Sequence, residues 1–240
     1  MTGALQRDHD AKAQRILAHL KAHLRYDNGH LPRPFFVELT GSPSAGKTTT
    51  ITELYKYLRR LGFRVLRPQE GAEVIQHIPR STPVYNVRTA IYAWTILTDE
   101  SYKHTYDIIL LDRGLFDAYG WMMYWRDKGE LTEEEQRIIQ SFFLMPFWLD
   151  SIDAAYIMVC DPEEAMRREM RIALSQRMGE TTNPGAIAKL IDRYTRAFEQ
   201  LKGTHPQLEL VNTTHLQEQE MVDLIATRVL DTLDAKVKEA

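Results

Sequence analysis

The segment that decides the fold is FFVELTGSPSAGKTTT, residues 35–50. It opens with FFVELT, an apolar run with the length of a buried strand. Residues 41–48 then match the pattern G-x-x-x-x-G-K-[ST] at every position, and residues 47–61 have the apolar spacing of an amphipathic helix that ends at Gly62. A strand, this loop and a helix, in that order, are typical of the phosphate-binding loop (P-loop) of nucleotide-binding proteins.

The residue types in the loop suit a nucleoside triphosphate with its magnesium ion. Glycines let backbone N–H groups turn inward around phosphate oxygens, and the start of the helix adds a partial positive charge. Lys47 is expected to be catalytic and to reach the β and γ phosphates, whereas the Thr48 hydroxyl is expected to coordinate Mg²⁺. The predicted nucleotide-binding residues are Gly41, Ser44, Ala45, Gly46, Lys47, Thr48 and Thr49.

Strands alternate with helices along the rest of the chain. Apolar runs predict further strands at residues 64–68, 107–112, 154–160 and 208–212. Helical spacing predicts helices at residues 84–104, 115–128, 132–145, 162–178 and 186–201 and at the end of the chain. The alternation predicts an α/β fold, the P-loop NTPase three-layer sandwich, in which a five-stranded parallel sheet has helices on both faces.

A helix predicted at residues 5–24 precedes the first strand, and a break at Asp27-Asn28-Gly29 follows it. We therefore assign residues 1–34 to an N-terminal helical extension and residues 35–240 to the P-loop domain. The extension either packs on the domain or contacts a second subunit, so a homodimer is one of the arrangements that we consider.

Composition narrows the class of protein. The chain has 240 residues, 44% of them hydrophobic, which suits one full α/β domain. Its net charge of -3 shows no basic excess, so we expect no duplex nucleic acid as a partner. A single cysteine, Cys160, excludes an intrachain disulfide and is compatible with a reducing compartment. Because there is neither an apolar signal region nor a run of about 18 apolar residues, we expect a cytoplasmic protein without a membrane partner.

Polar residues at the ends of two predicted strands are the candidates for the acceptor side. The carboxyl ends of parallel strands meet at one edge of a sheet. Asp112 ends the third strand and is expected to help hold Mg²⁺, while Arg113 should face an anion or a polar acceptor. Because Arg113 is its neighbour, Asp112 should stay ionised. Glu70 has no adjacent basic residue and is the better candidate to orient or deprotonate an acceptor hydroxyl, with Glu73 as a weaker alternative.

A charged helix and the loop after it, residues 162 to about 185, are the candidate lid. The helix carries Arg167, Arg168, Arg171 and Arg177. Arginines stabilise the negative charge of a transferring phosphoryl group, and we select Arg171 as the catalytic one. The alternative is an ordinary charged helix face, in which the arginines pair with Glu163, Glu164 and Glu169.

Taken together, these motifs resemble those of the deoxynucleoside kinase and thymidylate kinase group of P-loop kinases. The resemblance rests on the P-loop, the Glu70 region, Asp112-Arg113 and the segment 161–179, and it extends from about residue 35 to 215. It implies a P-loop kinase domain with an arginine-rich lid, ATP and Mg²⁺ as cofactors, and transfer of the γ-phosphate to a nucleoside or a nucleoside monophosphate.

The sequence mixes features of the two families. Glu70 matches the carboxylate near the acceptor hydroxyl in deoxynucleoside kinases, whereas Asp112-Arg113 matches the Asp-Arg pair of thymidylate kinases. Gly114 departs from the residues that usually follow that arginine. Aromatic residues at 85–94 and 121–125 could stack on a base, although packing in the core is the more frequent role of such residues.

Two other functions remain open. The protein could be a P-loop kinase for another small-molecule hydroxyl, such as a sugar, an antibiotic or a nucleotide-sugar. It could also be a nucleotide-dependent regulatory switch with a protein partner, although it lacks the N-K-x-D stretch of most GTPases. The kinases require a small-molecule acceptor, and the switch does not.

Glu38 is unusual because it lies in the predicted central strand. An unpaired charge there would be costly. We therefore expect a basic or hydrogen-bonding partner for Glu38 and assign it no catalytic role.

Overall fold

The computed structural model describes residues 3–23, 30–172 and 183–239. In these residues the strands are β1 (Phe35–Gly41), β2 (Val65–Leu66), β3 (Ile108–Asp112), β4 (Ile152–Val159) and β5 (Leu208–Asn212). They form one five-stranded sheet in the order β2-β3-β1-β4-β5, and every pairing is parallel. The predicted α/β fold with a parallel sheet is therefore confirmed, although β2 is shorter than the predicted strand 64–68.

Helices connect the strands. In the described residues they are α1 (Gly3–His23), α2 (Lys47–Leu61), α3 (Gly71–Val74), α4 (Pro83–Ser101), α5 (Leu115–Asp127), α6 (Glu133–Phe143), α7 (Pro146–Leu149), α8 (Pro162–Ile172), α9 (Pro184–Leu201) and α10 (Glu218–Glu239). Proline begins α4, α7, α8 and α9, because its missing N–H and fixed φ suit the first helical turn. The break at 27–29 and residues 173–182 of the predicted lid lie outside the described residues. No helix that is described has the length and apolar composition needed to cross a bilayer.

The sheet lies between two hydrophobic layers, as the three-layer sandwich requires. Side chains of β1 alternate between them: Val37 and Leu39 face the layer built from α1, α2 and α10, and Phe36 faces the layer built from α4, α5 and α9. The helix predicted before the first strand, α1, is part of the first layer, where Leu17 and Leu20 are buried against the rest of that layer.

The strand order places the candidate site. β1 is central, and its register pairs Leu39 with Asp112 of β3 and Gly41 with Met158 of β4. The P-loop that follows β1 and the turn that follows β3 therefore leave the sheet side by side. In an open parallel sheet, this edge is where ligands bind.

Candidate active site

The P-loop leaves β1 through a backbone that only glycine can adopt. Gly41 has a φ of 125°, and a Cβ atom there would lie 1.9 Å from the carbonyl oxygen of Met158. Ser44 also has a positive φ, 56°, which is uncommon for a residue with a side chain. Gly46, with a φ of 93°, then leads into α2. The loop therefore turns tightly between the sheet and the start of a helix, where a phosphate group can be bound.

The remaining predicted nucleotide-binding residues lie around this loop. Ala45 is buried, and its carbonyl oxygen accepts a hydrogen bond of 3.0 Å from the hydroxyl of Thr213. Thr49 is half-buried and lines a groove of about 410 Å³ between the P-loop and α8. The structure thus brings the predicted loop residues together, with Thr49 facing the candidate lid.

Lys47 is buried inside the loop. Its Nζ donates hydrogen bonds to the carbonyl oxygens of Gly41, at 3.1 Å, and Ser42, at 2.6 Å. Burial lowers the pKa of Lys47 to about 8, and the cation of Arg113 acts in the same direction, while nearby carboxylates oppose them. A phosphate oxygen in the loop could replace one of these carbonyls as acceptor and favour the charged ammonium.

Thr48 and Asp112 form a pair of oxygen donors that suits Mg²⁺. The Thr48 hydroxyl donates to Asp112 Oδ2 at 2.9 Å. Asp112 is 7% exposed, and its buried Oδ1 has no hydrogen-bond partner among the described residues. Such an orphaned oxygen is costly, and a cation beside it would remove the cost. The described residues contain no group of three or more His, Cys, Asp or Glu suited to a metal, so phosphate and water would complete the coordination.

Arg113 pairs with Glu70 across the ends of β3 and β2. Its Nε donates to Glu70 Oε1 at 2.9 Å, and the side chains of Arg113 and Glu70 are 26% and 22% exposed. Burial raises the pKa of Glu70, and Asp112 adds to this, whereas Arg113 lowers it. Burial alone would lower the pKa of Arg113, but the surrounding acidic groups, led by Asp117, outweigh it and raise that pKa, so Arg113 stays charged.

Arg113 pairs with Glu70, although its neighbour in the sequence is Asp112. Arg113 has a φ of 67°, a left-handed conformation that directs its side chain away from the strand. Because β2 is the neighbour of β3, the guanidinium meets Glu70 at the adjacent strand end. Glu70, Asp112 and Arg113 still lie at the same edge of the sheet as Lys47 and Thr48.

Glu38 has the hydrogen-bonding partner that was expected, and it is backbone. Its Oε2 accepts N–H groups of Leu115 and Phe116, at 3.0 and 3.3 Å, and its Oε1 accepts that of Asp117 at 3.0 Å. These donors lie at the start of α5, where N–H groups lack partners within the helix. Burial and the nearby Asp117 carboxylate raise the pKa of Glu38 to about 8, although these hydrogen bonds act to lower it.

The same carboxylate explains Gly114. A Cβ atom at residue 114 would lie 2.6 Å from Glu38 Oε2, closer than real Cβ atoms approach other atoms. The unusual residue after Arg113 is therefore required by the glutamate in β1.

We expect Gly114→Ala to lower the free energy of unfolding by about 1–3 kcal/mol, the usual cost of overpacking. In a Glu38→Ala background the clash is absent, so the same substitution should cost much less. Urea unfolding of the single and double variants measures this coupling. Gly203→Ala is the matched control, since a Cβ atom there meets nothing within 4 Å. An equal cost of Gly114→Ala in both backgrounds would contradict the explanation.

The arginines of α8 have different surroundings. Arg168 donates to the carbonyl oxygens of Thr213, at 2.7 Å, and Leu216, at 3.2 Å, which anchors α8 to the segment after β5. Arg167 pairs with Glu164 at 2.7 Å, as the charged-face alternative expected. Arg171, the candidate catalytic arginine, is exposed and lines the groove beside Thr49. Arg177 lies outside the described residues.

The space on the acceptor side is a groove of about 340 Å³. Its lining includes Thr48, Arg67, Glu70, Glu73 and Asp112. An adjoining recess against α4 and α5 has a cavity volume of about 10 Å³, room for about one water molecule. A bulky acceptor would require this recess to widen.

Most candidate aromatic residues pack in the core instead of facing this groove. Trp125 is 2% exposed, and its Nε1 donates to Asn86 at 2.8 Å. Trp94 packs against Phe142 and Trp148, with ring centroids 5.9 and 5.6 Å apart. These residues fit the core-packing interpretation of the aromatic segments.

A buried cluster beside Arg113 was missed by sequence reasoning. Asp117 Oδ1 accepts hydrogen bonds from the hydroxyls of Thr40, at 2.5 Å, and Tyr194, at 2.7 Å, and lies 3.6 Å from Arg113 Nη1. The spacing of Arg113 and Asp117, four residues apart at the start of a helix, was an available signal. No feature of the sequence indicated that Tyr194, 77 residues from Asp117, would contribute to the cluster.

Comparisons with known proteins agree with the fold and with the P-loop. The sequence profile of a family described as AAA domain matches residues 36–193, which is more than half of the chain. Among solved structures, deoxyadenosine kinase from M. mycoides with bound dCTP is similar with a TM-score of 0.54 and 16% sequence identity, over 82% of this chain and 100% of that one. No curated protein matches by sequence. Because the profile match covers more than half of the chain, the chain belongs to the AAA domain family. Its P-loop and parallel sheet give it the fold of a P-loop kinase of the deoxynucleoside kinase type.

Proposed function

We propose that the protein is an ATP-dependent kinase that transfers the γ-phosphate to a nucleoside hydroxyl, with a nucleoside monophosphate as the second candidate acceptor. The observation that carries the proposal is the Glu70–Arg113 pair, which lies at the same edge of the sheet as the P-loop. It provides a carboxylate for an acceptor beside a loop that suits a triphosphate. The fold shared with deoxyadenosine kinase supports the choice of a nucleoside.

The charges of the acceptor groove favour a neutral acceptor over a monophosphate. Glu70, Glu73 and Asp112 line the groove with one basic residue, Arg67. The guanidinium of Arg113, which a phosphate group would need, is already held between Glu70 and Asp117. These carboxylates would repel a dianionic phosphate, because like charges at short range repel each other, but they would not repel a neutral hydroxyl.

In the proposed reaction each residue has one task. Lys47 and the backbone of the P-loop hold the β and γ phosphates, and Arg171 stabilises the charge of the transferring group from the groove beside α8. Thr48 and Asp112 would hold Mg²⁺, which when bound neutralises charge on the phosphate oxygens.

Glu70 orients the acceptor hydroxyl and accepts its proton. Its raised pKa suits this task, since a base works best when its pKa approaches the working pH. As the hydroxyl oxygen bonds to the γ-phosphorus, the bond from that phosphorus to the bridging oxygen of ADP breaks. The proton leaves Glu70 for solvent afterwards.

A coupled assay of ADP release tests the proposal. We expect release above the acceptor-free background with at least one nucleoside, and weaker or no release with monophosphates and sugars. Release only with a monophosphate would make the protein a monophosphate kinase, and release only with sugars or other alcohols would make it a different small-molecule kinase. Slow hydrolysis that no acceptor stimulates would favour the regulatory switch and would overturn the proposal.

A further inference from the structure

The buried Asp117 cluster, which consists of Thr40, Asp117 and Tyr194, lies directly behind Arg113. Asp117 is 3% exposed and Tyr194 is 2% exposed. A carboxylate so deeply buried is costly unless its surroundings stabilise it. Here two hydroxyl donors and one guanidinium surround the same oxygen, Oδ1. The cluster therefore keeps an anion at a defined position.

Arg113 needs such an anion because its backbone conformation is unfavourable on its own, so contacts of its side chain must hold it in place. A left-handed φ of 67° is unfavourable for a residue with a side chain and persists only when surrounding contacts stabilise it. The guanidinium has contacts on two sides: Nε donates to Glu70 Oε1 at 2.9 Å, and Nη1 lies 3.6 Å from Asp117 Oδ1. Glu70 lies in a loop with part of its side chain exposed, whereas Asp117 is in a helix and buried. Asp117 is therefore the rigid anchor of the two.

The cluster joins three parts of the fold. Thr40 is the residue before Gly41, so it lies at the entry to the P-loop. Tyr194 belongs to α9, and its ring packs on Gly120 of α5, where a Cβ atom would lie 3.1 Å from the ring. Burial and the neighbouring Asp117 carboxylate raise the pKa of Tyr194, so its phenol stays protonated and remains a hydrogen-bond donor.

We propose that Asp117 is a positioning residue of the acceptor site: held by Thr40 and Tyr194, it fixes the guanidinium of Arg113 against Glu70 and ties that pair to the P-loop and to α9. The inference rests on the proposed function, because it assumes that the Glu70–Arg113 pair serves the acceptor. Asp117 itself is not part of the lining of the acceptor groove.

Two conservative variants test it. Asp117→Asn keeps the shape and can still accept from Thr40 and Tyr194, but it loses the charge that attracts Arg113. Tyr194→Phe keeps the ring and removes one donor. Tyr156→Phe is the matched control, because Tyr156 is also fully buried, at 0% exposure, but belongs to the opposite hydrophobic layer. Melting temperatures verify that all three variants fold. If Asp117→Asn does not fold, Tyr194→Phe still tests the inference.

The first readout does not depend on any substrate. The Arg113 Nε–H resonance, assigned by its loss in Arg113→Lys, reports hydrogen exchange of the group that is bonded to Glu70. We expect exchange to accelerate by about 10- to 100-fold in Asp117→Asn, which loses the ion pair with Arg113. In Tyr194→Phe, which loses one neutral hydrogen bond, we expect an acceleration of about 3- to 10-fold. Tyr156→Phe should leave it unchanged. Unchanged exchange in both test variants would overturn the positioning role.

The second readout is the kinetics of the reaction, if ADP release depends on an acceptor. We expect the acceptor kcat/KM to fall by the same factors, with the KM for ATP within about twofold of wild type. A general structural defect would instead alter the kinetic constants for ATP and for the acceptor to the same extent, or would also appear in Tyr156→Phe. Either result would overturn the inference. If no acceptor is found, the proposed function fails, and the exchange measurement still decides whether Asp117 positions Arg113.

Discussion

Replacing Lys47 with alanine is expected to lower the rate of phosphoryl transfer by about 10³-fold, the upper range for removal of one preorganised charged donor. The ammonium lies inside the P-loop, bonded to the carbonyl oxygens of Gly41 and Ser42. Alanine at the start of α2 keeps the helix, so the loss should be in catalysis and nucleotide binding and not in folding. The measurement is ADP release with the best acceptor, accompanied by a thermal melt.

Lys56→Ala is the matched control for this prediction. Lys56 lies on the same helix but is exposed, and it pairs with Glu53 at 2.6 Å. An exposed pair contributes little, so this variant should retain wild-type activity and stability. Wild-type turnover in Lys47→Ala would contradict the donor site.

The pH dependence of nucleotide binding provides a second check on Lys47. Because its pKa is lowered to about 8, Lys47 loses its proton above that pH in the protein without nucleotide. Phosphate groups favour the charged form, so binding above about pH 8 takes up a proton. The affinity of the wild type should therefore fall by up to about tenfold for each further pH unit. Lys47→Ala should lack this dependence, which calorimetric titration at pH 7 and 9 would measure.

Glu70→Gln is expected to lower kcat by about 10²- to 10⁴-fold with little change in acceptor binding, the usual contribution of a general base. The substitution preserves the shape of the side chain and removes its charge. Because burial raises the pKa of Glu70, the wild-type rate should also fall as the pH is lowered through that pKa, where the carboxylate becomes protonated. Glu73→Gln, the same change three residues later on an exposed side chain, should be nearly silent.

The comparison with Arg113→Ala distinguishes the two candidate acceptors. A hydroxyl acceptor needs the base, whereas a monophosphate is already an anion and depends more on arginine. For a nucleoside acceptor we expect Glu70→Gln to be at least as harmful as Arg113→Ala. If Glu70→Gln has nearly wild-type activity and Arg113→Ala has lost most of its activity, the protein is a monophosphate kinase and Glu70 is not its base.

Features that depend on a few consecutive residues could be predicted from the sequence. The P-loop is one uninterrupted run from Gly41 to Thr48, and the strand before it and the helix after it follow from the period of apolar residues. The order of strands and helices then leads to a parallel sheet, because a crossover helix returns the chain in the same direction. The same reasoning placed Glu70 and Asp112 at one edge, since both follow parallel strands.

Contacts between residues far apart in the chain required the tertiary structure. The sequence showed Arg113 beside Asp112, yet its left-handed backbone turns the guanidinium to Glu70, 43 residues away. Glu38 has no acidic or basic neighbour in the strand that could indicate its partner, which is the start of α5. Side-chain direction depends on backbone torsion and on which strand lies next in the sheet, and local propensity encodes neither. The elements of this protein are therefore set by short-range sequence pattern, whereas the pairing of its charged side chains is set by the packing of those elements.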